Sequence, residues 1–117
     1  NLILDGAHNP DGAAALLLHL PTDRPIVAVL AMMEDKDIDG YLCQVLPRCR
    51  RVIATTVPGM GRALSAEDLA VTAQKYCPDV TAEPNPRRAL AAAQAGGDFV
   101  LVCGSFYLAR EIRKDLI

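Results

Sequence analysis

Two short stretches of this chain bring together side chains that could do chemistry. The first is Leu4-Asp5-Gly6-Ala7-His8-Asn9-Pro10, where a carboxylate and an imidazole share one tight turn. The second is Gly104-Ser105-Phe106-Tyr107, which sets a hydroxyl behind a glycine. Asn9-Pro10 reads as a helix start. Asn accepts from the free amides of the first turn, and Pro at the first helical position gives up no bond. Helix N-termini are partly positive, so either stretch could hold a carboxylate or a phosphate on its amides and hydroxyl. Plain structural roles stand beside these. Asp5 could brace the turn, His8 could be an ordinary surface or core histidine, and Ser105 could only cap its helix. Gly6 would permit a positive φ or a close backbone approach.

Five strands and five helices are predicted to position these stretches. Leu2-Ile3-Leu4 is a short apolar strand, and Asp11 to Leu20 an Ala- and Leu-rich helix stopped by Pro21. Ile26 to Ala31 is apolar without a break, as a parallel strand covered on both faces requires. Ile38, Tyr41, Leu42, Val45 and Leu46 recur at helical spacing, and Pro47 ends that helix. Arg51 to Thr56 is a β-branched strand. The loop Pro58-Gly59-Met60-Gly61-Arg62 then leads to Ser65, a helix cap with an acid three residues on. Leu69, Ala73 and Tyr76 form that helix's inner face. Asp79 to Ala82 reads as a weak strand near an edge, and Pro86 to Ala95 as a helix ended by Gly96-Gly97. Phe99 to Cys103 is the last strand, with Leu108, Ile112 and Leu116 the stripe of the last helix.

This alternation predicts a single three-layer α/β domain of Rossmann-like type with a mostly parallel sheet, built from five strand-helix units. Ligands in such folds bind outside the C-terminal ends of the strands. Asp5 to His8, Met32 to Asp37, Pro58 to Arg62, Glu83 to Asn85 and Gly104 to Phe106 all fall there.

Composition narrows the function classes. The 117 residues are 51% apolar and 22% charged, enough for a stable core. The net charge of −2 offers no footprint for nucleic acid or an anionic membrane. No apolar run approaches a membrane span, and no signal peptide is apparent. Cys43, Cys49, Cys77 and Cys103 lack metal-ligand spacing and are expected to be buried or half-buried thiols in a reducing cytoplasm. Neither a G-x-G-x-x-G after the first strand nor a P-loop is present. Asn1 opens directly on a strand without Met, so a piece of a longer chain is expected.

Leu4 to Pro10, Asp35-Lys36-Asp37, Arg62-Ala63-Leu64-Ser65 and Cys103-Gly104-Ser105-Phe106-Tyr107, in this order, resemble the C-terminal domain of the folylpolyglutamate synthase family. In bacteria that family is often bifunctional as dihydrofolate synthase, and it belongs to the Mur ligase superfamily of ATP-dependent amide-forming ligases. The resemblance spans residues 1–117 and rests mainly on L-D-G-A-H-N-P. It implies that Asp5 faces the nucleotide near its ribose and that His8 lies between nucleotide and amino-acid substrate. It likewise implies that Ser105 engages the incoming glutamate, making His8 and Ser105 the catalytic and glutamate-binding candidates. Asn9 is expected to be structural. Asp35, Lys36, Asp37 and Arg62 match family positions on the same edge without an assigned role.

The resemblance further implies an N-terminal ATPase domain in the same polypeptide. That domain would carry the phosphate-binding loop, the magnesium ligands and most of the folate pocket, so ATP and Mg2+ would be bound mainly there. No metal ligand is expected in this domain. ATP would phosphorylate a carboxyl of folate or dihydropteroate, and the glutamate amine would displace phosphate. The chain alone is expected to be inactive, and the enzyme monomeric. Two alternatives stand: a free-standing nucleotide- or anion-binding regulatory module, or a peptidoglycan-precursor ligase domain.

Overall fold

The unbroken apolar run at Ile26 has its explanation in a sheet covered on both sides. In the computed structural model, which describes residues 1–116, β2 (Ile26–Leu30) is buried along its whole length. Ile26, Ala28 and Leu30 point into one core, and Val27 and Val29 into the other. Side chains alternate along a strand, so a strand between two helical layers must be apolar at every position.

Five strands pair in the order β1-β5-β2-β3-β4, each pair parallel. They are β1 (Leu2–Leu4), β2, β3 (Arg51–Ala54), β4 (Val80–Ala82) and β5 (Phe99–Cys103). The helices are α1 (Pro10–Leu17), α2 (Ile38–Val45), α3 (Ala66–Ala73), α4 (Pro86–Ala95) and α5 (Phe106–Leu116). Buried residues of α1, α2 and α3 share one core, and those of α4 and α5 the other. The chain steps from β1 through β4 in one direction and then doubles back to insert β5 between β1 and β2. Right-handed crossovers put helices of opposite travel on opposite faces, which is why α4 lies across the sheet from α1, α2 and α3. The predicted three-layer α/β fold and its five strand-helix units are all present.

Several boundaries differ from expectation, each for a local reason. α1 stops at Leu17, because the amides of Leu18, His19 and Leu20 each bond three residues back, to Ala15, Leu16 and Leu17. The last turn thus tightens before Pro21. Pro47 does not end α2 outright; it sits inside a single 3-10 turn, Leu46–Arg48, that prolongs it. Tyr76 lies just beyond α3; its ring packs partly buried against the same core as Leu69 and Ala73, while its hydroxyl goes to the Asp39 carboxylate. The α5 stripe is buried at Leu108 and Ile112, but Leu116 is 48% exposed. Cys43 is exposed, unlike the three buried cysteines. No helix among the described residues is long and apolar enough to cross a membrane.

Candidate functional site

The return of the chain fixes where a ligand can sit. β5 sends its chain to α5 on one face, whereas its neighbours β1 and β2 send theirs to α1 and α2 on the other. The diverging loops open a crevice at the C-terminal ends of these three strands, the switch point at which α/β sheets bind ligands.

The β1 turn enters the crevice anchored at both ends. The Asp5 amide donates to the Val102 carbonyl of β5, and Asp5 Oδ1 accepts from the Ala7 amide at 3.0 Å. Asn9 caps α1 by accepting from the Gly12 amide at 2.8 Å, the structural role its type implies. His8 Nδ1 stands 3.4 Å from the Gly6 carbonyl oxygen, leaving Nε2 for the crevice. Gly6 does not adopt a positive φ. Its need is space, since a Cβ there would meet Phe106 Cδ1 at 3.2 Å.

The β5 turn requires a different glycine. Gly104 has φ +92°, and a Cβ on it would overlap the Ala31 carbonyl oxygen and come within 2.7 Å of Met32 Sδ. Ser105 follows, only 2% exposed. Its Oγ accepts from the Tyr107 amide at 3.1 Å and the Leu108 amide at 3.3 Å, capping α5. A hydroxyl has two acceptor lone pairs and one proton. With both amides on its oxygen, Ser105 keeps the proton to donate.

The loops after β2 and β3 lock to each other across the crevice mouth. Glu34 donates its amide to the Arg62 carbonyl at 2.7 Å, Leu64 donates to the Met32 carbonyl at 3.0 Å, and Met33 and Ala63 form an isolated antiparallel bridge. Arg62 Nη1 lies 2.7 Å from Asp35 Oδ2. Asp37 caps α2 by accepting from the Gly40 amide at 3.0 Å.

One cleft results, lined by His8, Met33, Lys36, Arg62, Ser105, Phe106 and Tyr107. His8 and Ser105, almost a hundred residues apart in sequence, share it. Asp5 does not line it; Asp5 borders a separate groove with Ile3, Ala7, Gly12 and His19. Lys36 and Arg62, which sequence reasoning left without a role, complete the wall, and only the zipped loops reveal them. Phe106 is 54% exposed and edges Tyr107 at 5.7 Å, with the Arg110 guanidinium over both rings. Cys103, under the same turn, is fully buried, and burial pushes its thiol far above the usual range. It is no nucleophile. Among the described residues no three His, Cys, Asp or Glu side chains cluster to hold a metal ion.

Comparison with known proteins now decides the family. Residues 1–106 match the family model described as the Mur ligase glutamate ligase domain. The chain belongs to that family. It is 42% identical over 82 residues to the dihydrofolate synthase/folylpolyglutamate synthase of Mycobacterium tuberculosis, covering 67% of this chain and 17% of that protein. The M. tuberculosis folylpolyglutamate synthase solved with ADP and AMPPCP superposes with a TM-score of 0.88 at 31% identity, over 97% of this chain and 29% of that one. The bifunctional folylpolyglutamate synthase/dihydrofolate synthase of Yersinia pestis, solved with AMPPNP and a Mn ion, gives 0.85 at 30% identity, over 98% and 28%. This chain therefore spans less than a third of each of these relatives.

Proposed function

We propose that residues 1–117 form the C-terminal domain of an ATP-dependent ligase that adds L-glutamate to folate or dihydropteroate through an acyl phosphate. The relatives described above are all folylpolyglutamate synthases, which favours this over a peptidoglycan-precursor ligase or a free-standing binding module. The observation that carries the reading is the single cleft that gathers a buried hydroxyl, an imidazole and two cations. Glutamate brings two carboxylates and an amine, and the cleft offers a complement to each.

In this reading Ser105 donates its remaining proton to a glutamate carboxylate oxygen, a charge-assisted bond made inside a buried turn. Lys36 supplies positive charge at the mouth, while the charge of Arg62 is largely met by Asp35. With Nδ1 turned to the Gly6 carbonyl, the neutral tautomer of His8 presents the Nε2 lone pair to the cleft. There it accepts a proton from the glutamate ammonium, so that the free amine attacks the acyl carbon and the C–O bond to phosphate breaks, phosphate leaving. Asp5, in the neighbouring groove, takes a ribose hydroxyl of ATP through its carboxylate. Carboxylate, imidazole and hydroxyl would then lie along one substrate path, and catalysis rests on positioning more than covalent chemistry.

Magnesium prefers clustered oxygen ligands. The acids near this cleft do not fit it, because Asp35 is paired with Arg62 and Asp37 caps α2. In this reading ATP and Mg2+ are bound mainly by an N-terminal ATPase domain of the same polypeptide, closing over this one. The enzyme works as a cytoplasmic monomer.

The test is steady-state kinetics of the full-length ligase with glutamate and ATP varied separately. Ser105→Ala removes a bond to a charged group, and bonds of that kind contribute about 1.5–3 kcal/mol, so kcat/KM for glutamate falls roughly ten- to 150-fold. The ATP parameters hold. His8→Ala lowers kcat and leaves ATP affinity in place. Glutamate kinetics unmoved by both changes would remove the cleft from catalysis and leave Ser105 a helix cap worth about 1 kcal/mol.

A further inference from the structure

Phe106, Ala109, Arg110 and Arg113 recur at i, i+3, i+4 and i+7, so they share one face of α5. This is not the face that carries the helix's core stripe, because the residues α5 buries are Leu108 and Ile112. It overlooks the end of β1, and together with Leu4 and Gly6 it forms a groove. The groove adjoins the cleft at Phe106, which lines both. A ligand held in one can therefore reach the other past a single ring.

Charge on α5 is sorted between its two sides. Its acids, Glu111 and Asp115, both pair with Arg87 of α4, and Glu111 pairs with Lys114 as well. Arg110 and Arg113 have no carboxylate partner among the described residues, and no acid lines the groove. The Arg110 guanidinium is held by two rings, 5.8 Å from the Phe106 centroid and 5.4 Å from that of Tyr107. Such a contact orients a guanidinium without neutralising it, so its N–H groups remain for a carboxylate. Arg113 lies three residues on, about 5–6 Å away between Cβ atoms. Solvation alone would need neither the clamp nor the apolar floor. Two spaced cations over such a floor suit an extended chain that repeats a negative charge.

The reaction assigned above makes such a chain. Each glutamate that joins a folate brings two carboxylates and spends its amine, so a product that re-enters carries one more free carboxylate than before. Only the reacting end fits the cleft, and the glutamates behind it have to leave along a wall. We propose that the groove between α5 and β1 holds this oligoglutamyl chain of the folate substrate, with Arg110 and Arg113 each pairing with one of its free carboxylates. Neither arginine touches the reacting atoms. They read what lies behind the growing end, so affinity rises with the number of glutamates already attached. This rests on the reading of the cleft as the glutamate site.

The test is kinetics of the full-length ligase on folate carrying one or four glutamates, with Arg113→Gln, Arg110→Gln and the pair. Losing one exposed ion pair is expected to raise KM for the four-glutamate substrate about threefold, and losing both about tenfold. KM for the one-glutamate substrate and for ATP should stay within about twofold, which is the scale of a weak surface contact. The tenfold effect should shrink as salt is raised, and Arg110→Lys with Arg113→Lys should recover most of it. Arg113→Gln, which breaks no aromatic contact, should show its threefold share with an unchanged melting temperature. A rise in KM that is equal for both tail lengths, or falls on ATP instead, would overturn the proposal, as would no rise at all. Wild-type enzyme that adds glutamate to neither folate would overturn the function on which the proposal rests.

Discussion

Gly104 is packed against the carbonyl oxygen of Ala31 so closely that no Cβ fits between them. The contact joins the end of β5 to the end of β2, where the Ala31 amide also donates to the Cys103 carbonyl at 3.3 Å. It sets the depth at which Ser105 enters the crevice.

Gly104→Ala therefore meets two penalties, a left-handed backbone and a steric overlap with main-chain atoms that cannot rotate away. Gly59 separates the two effects, because its φ is +80° with nothing within 4 Å of a new Cβ. Gly59→Ala should cost about 1 kcal/mol, the backbone strain alone. Gly104→Ala should cost roughly 3 kcal/mol or more, in the range of disruptive core changes. Urea denaturation of both variants checks this. Equal losses would mean that the Ala31 contact carries no energy of its own.

Much of this was legible from residue types. Asn9 and Ser65 each cap the helix their position announced, and the apolar run at Ile26 gave its strand directly. Local chemistry determines such features within a few residues of chain. What stayed hidden depends on contacts made across the sheet. Gly6 and Gly104 look alike in sequence, yet only Gly104 needs a positive φ, because only there does another strand's carbonyl crowd the turn. Tyr41 reads as one more apolar position on a helix stripe, and its spacing does not show that its hydroxyl is buried without a hydrogen-bond partner among the described residues. The pairing of Asp35 with Arg62 likewise waits on two loops that the sequence leaves unconnected. Leu116 kept the spacing of a core residue after the core had ended.

The buried thiols give a pH dependence of definite sign. Burial pushes Cys49 up to about 12, and it pushes Cys103 and Tyr41 up as well. An unfolded chain releases a cysteine proton near pH 9, whereas the native state keeps it. Stability conferred by these groups is therefore whole below about pH 9 and lost as pH rises toward the folded values. Each such group withdraws about 1.4 kcal/mol per pH unit across that interval. Denaturant melts at pH 8, 9, 10 and 11, with the exposed Cys43 replaced by Ser, should show a steepening loss above pH 9. A flat profile to pH 10.5 would contradict the burial assigned to Cys49 and Cys103. Thiol labelling of the native chain at pH 8 should modify Cys43 first, with the other three reacting only after unfolding.

Charge at the cleft mouth gives the last prediction. Lys36 and Arg62 both line the cleft, but among the described residues Arg62 is paired with Asp35 and Lys36 is paired with none. A paired guanidinium presents little net charge to a ligand beyond it, while an unpaired ammonium presents nearly all of its own. Lys36→Gln should therefore raise KM for glutamate about tenfold, and Arg62→Gln much less, as expected when one has lost a charge-assisted contact and the other a half-cancelled one. The Arg62–Asp35 pair is exposed, so Asp35→Asn should change stability by less than about 1 kcal/mol. It should, however, release the charge of Arg62, whose main chain stays anchored by the Glu34 amide. Asp35→Asn placed in the Lys36→Gln background should then recover part of the lost glutamate affinity, and the recovery should fade as salt is raised. Kinetics of the four variants of the full-length ligase at two ionic strengths would decide it. A double variant no better than Lys36→Gln alone would show that Lys36 acts by geometry and not by charge.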